Sequence, residues 1–180
     1  MALAATIYNI TIELSDTDRG VYETLELRVA RQPSETVEYM LVRILAYCLE
    51  YTEGIALTQG VAAGDEPAVW VRDLTGKVTA WIEVGLPDAE RLHRGSKLAG
   101  RAAVYTHRDV EQLLNQLNGK KIHRAAEIPI YALDRRFTDA LAGLIERRTT
   151  LALSVTDSEL YVSVGDRTLN CTLVEHHIET

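Results

Sequence analysis

Two acidic residues, Glu66 and Glu83, stand at the ends of a stretch whose other positions alternate as strands do: "DEPAVWVRDLTGKVTAWIEVG", residues 65–85. The pattern predicts a hairpin of two half-buried strands. With Thr75 and Gly76 as a two-residue turn, Leu74 faces Lys77, Arg72 faces Thr79, Trp70 faces Trp81 and Ala68 faces Glu83. Period two then gathers Glu66, Ala68, Trp70, Trp81 and Glu83 on one face and Val69, Val71, Ala80, Ile82 and Val84 on the other. In that register Glu66 and Glu83 are diagonal neighbours with Cβ atoms roughly 7 Å apart. Carboxylates so placed repel, and each raises the other's pKa unless a positive charge sits between them. A divalent cation, Mg²⁺ or Mn²⁺, is one such charge, since these ions take oxygen ligands and keep waters and phosphate in their remaining positions. The alternative needs no metal: Glu66 stands in water at the strand mouth and Glu83 pairs with a helix arginine. A one-residue slip of register would part the two acids altogether.

Basic residues follow directly. Arg91, Arg94, Lys97 and Arg101 are expected along a helix of about 88–101, and residues 86–108 hold five Arg or Lys against two acids in a chain of net charge −7. That local excess is where phosphate would dock. A solvated helix face is the plainer reading of the same stripe.

Other chemistries find no support. His176 and His177 are adjacent, so on a strand they point opposite ways. His93, His107 and His123 have no ligand spacing. No Walker loop, GxGxxG or GxSxG occurs, which removes NTPase, dinucleotide oxidoreductase and serine hydrolase. Trp70 and Trp81 could stack on a base, but a cross-strand pair more often packs beneath a helix.

The elements that must position these residues read as follows. "ATIYNITIELS" and "VYETLELRVAR" form a hairpin across the turn "SDTDRG". Val37, Met40, Leu41, Ile44, Leu45, Cys48 and Leu49 share one face of an amphipathic helix, with Ser34 as its N-cap and Glu35 and Glu38 in its first turns. A short strand "IALTQGV", a loop "AAG" and the acidic hairpin come next. Asp88 caps the basic helix; "RAAVYT" is a buried strand; Thr106 with Asp109 suggests a capping box for the helix carrying Val110, Leu113, Leu114 and Leu117. "EIPIYAL" is a strand, Asp134 caps a helix with Phe137, Leu141, Leu144 and Ile145, and three strands close the chain. From about 34 to 106 the order is helix, strand, strand, strand, helix, strand, flanked by antiparallel strands: an α+β protein.

Bulk properties set outer limits. The 180 residues suit a single domain spanning 1–180, and 47% hydrophobic and 25% charged residues with four prolines describe a chain that folds throughout. Cys48 and Cys171 are isolated, which suggests core thiols in a reducing compartment. No run long enough to span a membrane occurs, so the expectation is a cytoplasmic protein with no membrane partner.

The order of elements with an acidic strand pair resembles the core of the PD-(D/E)XK nuclease superfamily. The stretches "ATIY", "ARQPSETVEYMLVRILAY", "DEPAVW", "WIEVGLPD" and "VYT" are similar to the YaeQ family, over most of the chain. That resemblance implies a bacterial intracellular protein with a variant restriction-endonuclease-like fold and a poorly defined biochemical role. Laid over the superfamily motif, Glu83 matches the acidic residue, Ala68 stands where aspartate is usual, and Gly85 stands where lysine is usual. Substitutes suggest themselves: Glu66 as second metal ligand, Lys97 to orient or deprotonate the attacking water, and Glu35 or Glu38 as a third oxygen. As helix-dipole residues those last two have a simpler role. Two functions follow as expectations. One is a Mg²⁺-dependent nuclease or phosphodiesterase using Glu66, Glu83 and Lys97, with Glu38 completing the metal site and Arg91, Arg94 and Arg101 holding nucleic acid. The other is a nuclease-fold protein without catalysis that binds or scaffolds a partner, protein partners included.

Overall fold

The structure is a computed structural model and describes residues 3–59 and 64–180. Part of the expected loop "AAG" and the end of the strand "IALTQGV" lie outside the described residues. The strands are β1 (Thr6–Asp16), β2 (Val21–Arg31), β3 (Ile55–Leu57), β4 (Val69–Arg72), β5 (Val78–Val84), β6 (Arg101–Thr106), β7 (Pro129–Ala132), β8 (Arg148–Thr156), β9 (Glu159–Val164), β10 (Arg167–Thr172) and β11 (Val174–His177). The helices are α1 (Val37–Leu49), α2 (Ala89–Leu98), α3 (Val110–Leu117) and α4 (Arg135–Ala142).

Among the described residues the strands form two mixed sheets, ordered β10-β9-β8-β1-β2 and β11-β7-β6-β5-β4-β3. In the first, β1 pairs antiparallel with β2 (Ile10 opposite Leu27) and parallel with β8 (Ile12 opposite Leu151), so elements from the two ends of the chain share one sheet. Its inner face carries Ile10, Ile12, Leu14, Leu151, Leu153, Leu160 and Val162, all buried. These meet Val69, Ile82, Ala103 and Tyr105 of the second sheet through α1, in one continuous core. The other face of the second sheet is covered by α2 and α3, where Leu92, Val104, Leu113, Leu117 and Ile130 make a separate core.

The expected order of helix, three strands, helix and strand between 34 and 106 is present as α1, β3, β4, β5, α2 and β6. Its setting differs from a half-buried one. Helix α1 lies between two sheets, so Val42, Ala46 and Arg43 are buried as well as the predicted apolar face. A helix buried nearly all round is what such a position requires. Strand β5 is likewise buried at every residue from Ala80 to Val84, because the α1 layer covers one face and α2 the other.

Several boundaries move for local reasons. The N-cap of α1 is Thr36, whose hydroxyl accepts the Tyr39 N–H at 3.0 Å, because Glu35 before it is drawn into the core. Helix α2 stops at Leu98, and Arg101 opens β6. The cap of α3 is Asp109 alone, while Thr106 Oγ1 accepts the Arg108 N–H. Leu144 and Ile145 lie beyond α4, which ends at Ala142. The tail holds four strands, and β11 crosses to the second sheet to pair with β7. Asp88 and Asp134 cap α2 and α4 as expected.

Candidate functional site

The hairpin pairs Trp70 with Trp81 as the sequence predicts, but its turn is longer than two residues. Asp73 accepts the N–H groups of Thr75 and Lys77 on one carboxylate oxygen, and Gly76 sits at φ +87°, a left-handed position that suits glycine. The extra residue is absorbed by a bulge, so Arg72 faces Val78 and not Thr79. The pairing beyond the bulge is unaffected, and Glu83 keeps the face it shares with Trp81. Trp81 is 2% exposed and lies directly under α2: a Cβ on Gly95 would stand 2.4 Å from its Cδ1. The expected packing beneath a helix is thus found for Trp81, while half-buried Trp70 carries the Arg72 guanidinium 5.0 Å from its ring centre.

Glu83 is 3% exposed, and its partner comes from α2. Arg91 Nε donates to Oε2 at 2.6 Å and Nη2 to Oε1 at 3.2 Å, a bidentate fork. The same guanidinium donates to the backbone carbonyls of Gly64 and Glu66, each at 2.6 Å. Arg91 is held more firmly in its charged form, the Glu83 hydrogen bonds being the largest cause. One side chain therefore ties β5, α2 and the loop before β4 together. It supplies the positive charge beside Glu83 that a metal ion would otherwise supply.

Around this pair lies a cavity of about 350 Å³ whose lining includes Tyr39, Glu66, Ala68, Glu83, Asp88 and Arg91. Glu66 is half-buried and belongs to the loop ahead of β4; its carboxylate makes no hydrogen bond or ion pair among the described residues. Asp88 accepts the Arg91 backbone N–H at 2.8 Å as the cap of α2.

Gly85 has φ +86°, and a Cβ there would meet Tyr39 Cε2 at 3.3 Å. A side chain following β5 would therefore press on the Tyr39 ring, which would have to give by a few tenths of an ångström. Tyr39 itself has its phenol pushed up to about 12, first by burial and then by the Glu83 charge.

The remaining sequence candidates are dispersed. Lys97 is exposed in the last turn of α2 and does not line the cavity. Arg94 is exposed too. Arg101, placed on β6 rather than on the helix, is held by Glu50 at 2.8 Å. Of the five basic residues between 86 and 108, Arg91 and Arg101 are therefore committed to carboxylates.

The first-helix acids do not reach the hairpin either. Glu35 is a buried partner of Arg43, which donates Nε to Oε2 at 2.7 Å and Nη2 to Oε1 at 3.2 Å. Glu38 is half-buried and its charge acts on His107. Among the described residues no three His, Cys, Asp or Glu side chains are arranged to hold a metal ion. His177 pairs with Glu175 at 2.8 Å on β11. Among the described residues, no helix is long and apolar enough to cross a membrane.

A two-sheet α+β fold carrying an acidic cavity beside α2 is the class these observations define. Comparison with known proteins places it further. The family model described as "YaeQ protein" matches residues 1–173, and this chain belongs to the YaeQ family. It is 33% identical over 174 residues to "Uncharacterized protein YaeQ" of Escherichia coli strain K12, covering 96% of each chain. The crystal structure of YaeQ from Pseudomonas syringae superposes with a TM-score of 0.88 at 31% identity, over 97% of both chains. That of YaeQ from Xanthomonas axonopodis pv. citri gives 0.86 at 29% identity, over 97% of this chain and 99% of the other.

Proposed function

We propose that this chain has a restriction-endonuclease-like fold that binds or scaffolds a partner without cleaving a phosphodiester. The observation that carries the reading is the Arg91 fork, which takes both oxygens of Glu83. A guanidinium cannot act as a general base, and each oxygen of a carboxylate so held already accepts from a fixed cation. Ala68 and Gly85 at the other two motif positions support the same reading. The donor set around Glu83 therefore does not fit a resident Mg²⁺. The test is to incubate the full chain with single- and double-stranded DNA and RNA plus Mg²⁺ or Mn²⁺. No turnover above that of Glu83→Gln is expected; metal-dependent cleavage abolished by Glu83→Gln overturns it.

One observation favours a second reading, a metal-dependent phosphodiesterase: Glu66, Glu83 and Asp88 line the same cavity, and the Glu66 carboxylate is unengaged. Calorimetric titration with Mg²⁺ separates the two. Binding at millimolar metal that Glu66→Ala removes would favour this second reading.

Nucleic acid remains a proposed partner through the exposed Arg94 and Lys97 of α2, with a protein partner as the alternative. The two buried free thiols, Cys48 and Cys171, support a reducing, cytoplasmic setting.

A further inference from the structure

Helix α2 is met along one side by a segment far from it in the chain, residues 119–124, "GKKIHR". The His123 N–H donates to His93 Nδ1 at 3.0 Å, and Ser96 Oγ donates to the His123 carbonyl at 2.6 Å. Arg124 Nη2 donates to the Ser96 and Ala99 carbonyls at 3.0 and 2.8 Å, closing the C-terminal end of α2, where a cation is favoured. Ile122 is buried in the same core as Leu92 of α2. Lys97 lies one turn on from His93, on the side that meets the segment. Lys120 and Lys121 are within three residues of His123, so no more than about 11 Å of chain separates them from it. Three of the chain's four lysines are thus gathered beside Arg94 on one surface.

Arg94, Lys97, Lys120 and Lys121 are exposed, and none of their side chains makes a hydrogen bond or ion pair among the described residues. The acids at the border are Glu90, one turn before Arg94; Glu127, 3.7 Å from Arg124; and Glu179, whose backbone carbonyl accepts the Gly119 N–H. Counting Arg124, five cations stand against three acids. The surface is positive by two, while the rest of the chain, of net charge −7 in all, is negative by nine.

We propose that this surface binds the phosphate backbone of double-stranded nucleic acid; it rests on the nucleic-acid partner proposed above and specifies where that partner is held. The chemistry of the surface selects the partner. Residues 89–101 and 119–127 contain no Phe, Tyr or Trp, and Leu98 is the exposed large apolar side chain of α2. Single-strand binders hold bases on aromatic rings, and protein interfaces are enriched in aromatic residues and depleted in lysine. An anionic membrane requires an apolar face beneath the charges. Cations with neither feature are left with attraction to closely spaced phosphates, whose counterions are released on binding. Such contacts position a duplex without reading its sequence. Arg91 takes no part, because Glu83 and two carbonyls occupy its guanidinium. The surface therefore keeps its charge whatever the cavity beside Glu83 does.

Fluorescence anisotropy of the full chain with a labelled DNA duplex, read without divalent metal so that cleavage does not enter, tests it. Four phosphate contacts give a slope of log affinity on log salt of about −3.6, a weakening of roughly 150-fold between roughly 50 and 200 mM salt. Lys120→Gln combined with Lys121→Gln should halve that slope, leaving a weakening of roughly twelvefold. Lys77→Gln, in the exposed hairpin turn, should leave the slope as it is. A duplex of scrambled sequence should bind alike. Duplex binding with a slope that the paired variant does not change overturns this surface and leaves nucleic acid as a partner through another one. No duplex binding at the lower salt overturns both. Tighter binding of the single strand, or of vesicles containing phosphatidylserine, also overturns the proposal.

Discussion

Arg91 on α2 grips Glu83 on β5 with both arms of its guanidinium, at 2.6 and 3.2 Å, across the short connection between strand and helix. The Glu83 side chain is 4% exposed and that of Arg91 27%. Arg91→Ala would leave a buried carboxylate alone. The expected loss is about 2–3 kcal/mol, below the roughly 3–5 kcal/mol typical of fully buried pairs because Arg91 still touches water. Arg91→Lys should recover little, since lysine lacks the fork. Urea denaturation measures both, and an Arg91→Ala midpoint equal to wild type would refute the clamp.

The Glu35–Arg43 pair is the more deeply buried, at 0% and 1% side-chain exposure. Glu35→Ala should cost about 3–5 kcal/mol, and replacing both members with Leu and Met should cost far less than either single change. A double-mutant cycle decides, and additive losses would show that the two residues act independently.

Gly95 tests two opposed effects. In an exposed helix Gly→Ala gains about 1 kcal/mol from propensity. Here the new methyl would fall 2.4 Å from Trp81 Cδ1, so α2 must move off β5. Overpacking of that kind costs about 1–3 kcal/mol and should win. Gly95→Ala is expected to lower the melting temperature and to alter tryptophan fluorescence; a raised melting temperature would show that the helix seats loosely.

Installing the missing lysine should not create a nuclease. At Gly85 φ is +86°, and a Cβ would sit a tight 3.3 Å from the Tyr39 ring. Gly85→Lys is expected to lose about 1–2 kcal/mol from backbone strain alone. Tyr39→Ala in the same chain would relieve the contact but not the strain. Metal-dependent cleavage by Gly85→Lys would count against this account of the motif.

Tyr39 makes the stability pH-dependent at the alkaline end. Its phenol is raised from 10.0 in the free residue to about 12 in the fold. The folded state therefore keeps its proton where the unfolded chain gives it up. The contribution is complete below about pH 10 and is lost as pH rises from there toward about 12. Tyr39→Phe should flatten this part of the denaturation profile, and an unchanged slope would assign the loss to other tyrosines.

Much of the fold is legible in the sequence because its signals are local. The alternation from Tyr8 to Leu14 in β1, the 3.6 period of α1, and the Asp88 and Asp134 caps each depend on neighbours within a turn or a strand. The same holds in β8, where Leu151, Leu153 and Val155 face inward. The Trp70–Trp81 pairing tolerates a longer turn than the two residues expected, because the bulge absorbs the difference near the turn.

The candidate site is legible only in part. Glu83 stands out by its spacing, and pairing with a helix arginine is one of the two readings its place on the strand allows. Which arginine is not readable, because Arg91, Arg94 and Lys97 look alike along a stripe and only the seating of α2 on β5 turns Arg91 inward. The surroundings of His107 carry no sequence signal at all, since the charges that act on it come from α1, α4 and the turn after β6.

Taken alone, the amino-acid order determined the element types, their sequence between 34 and 106, and the acidic face of the hairpin, since side-chain periodicity and capping act over a few residues. Tertiary structure decided that β5 is covered on both faces and that a guanidinium fills the space beside Glu83. Those outcomes depend on how distant layers stack, and stacking brings together residues whose separation along the chain says nothing about their distance in space.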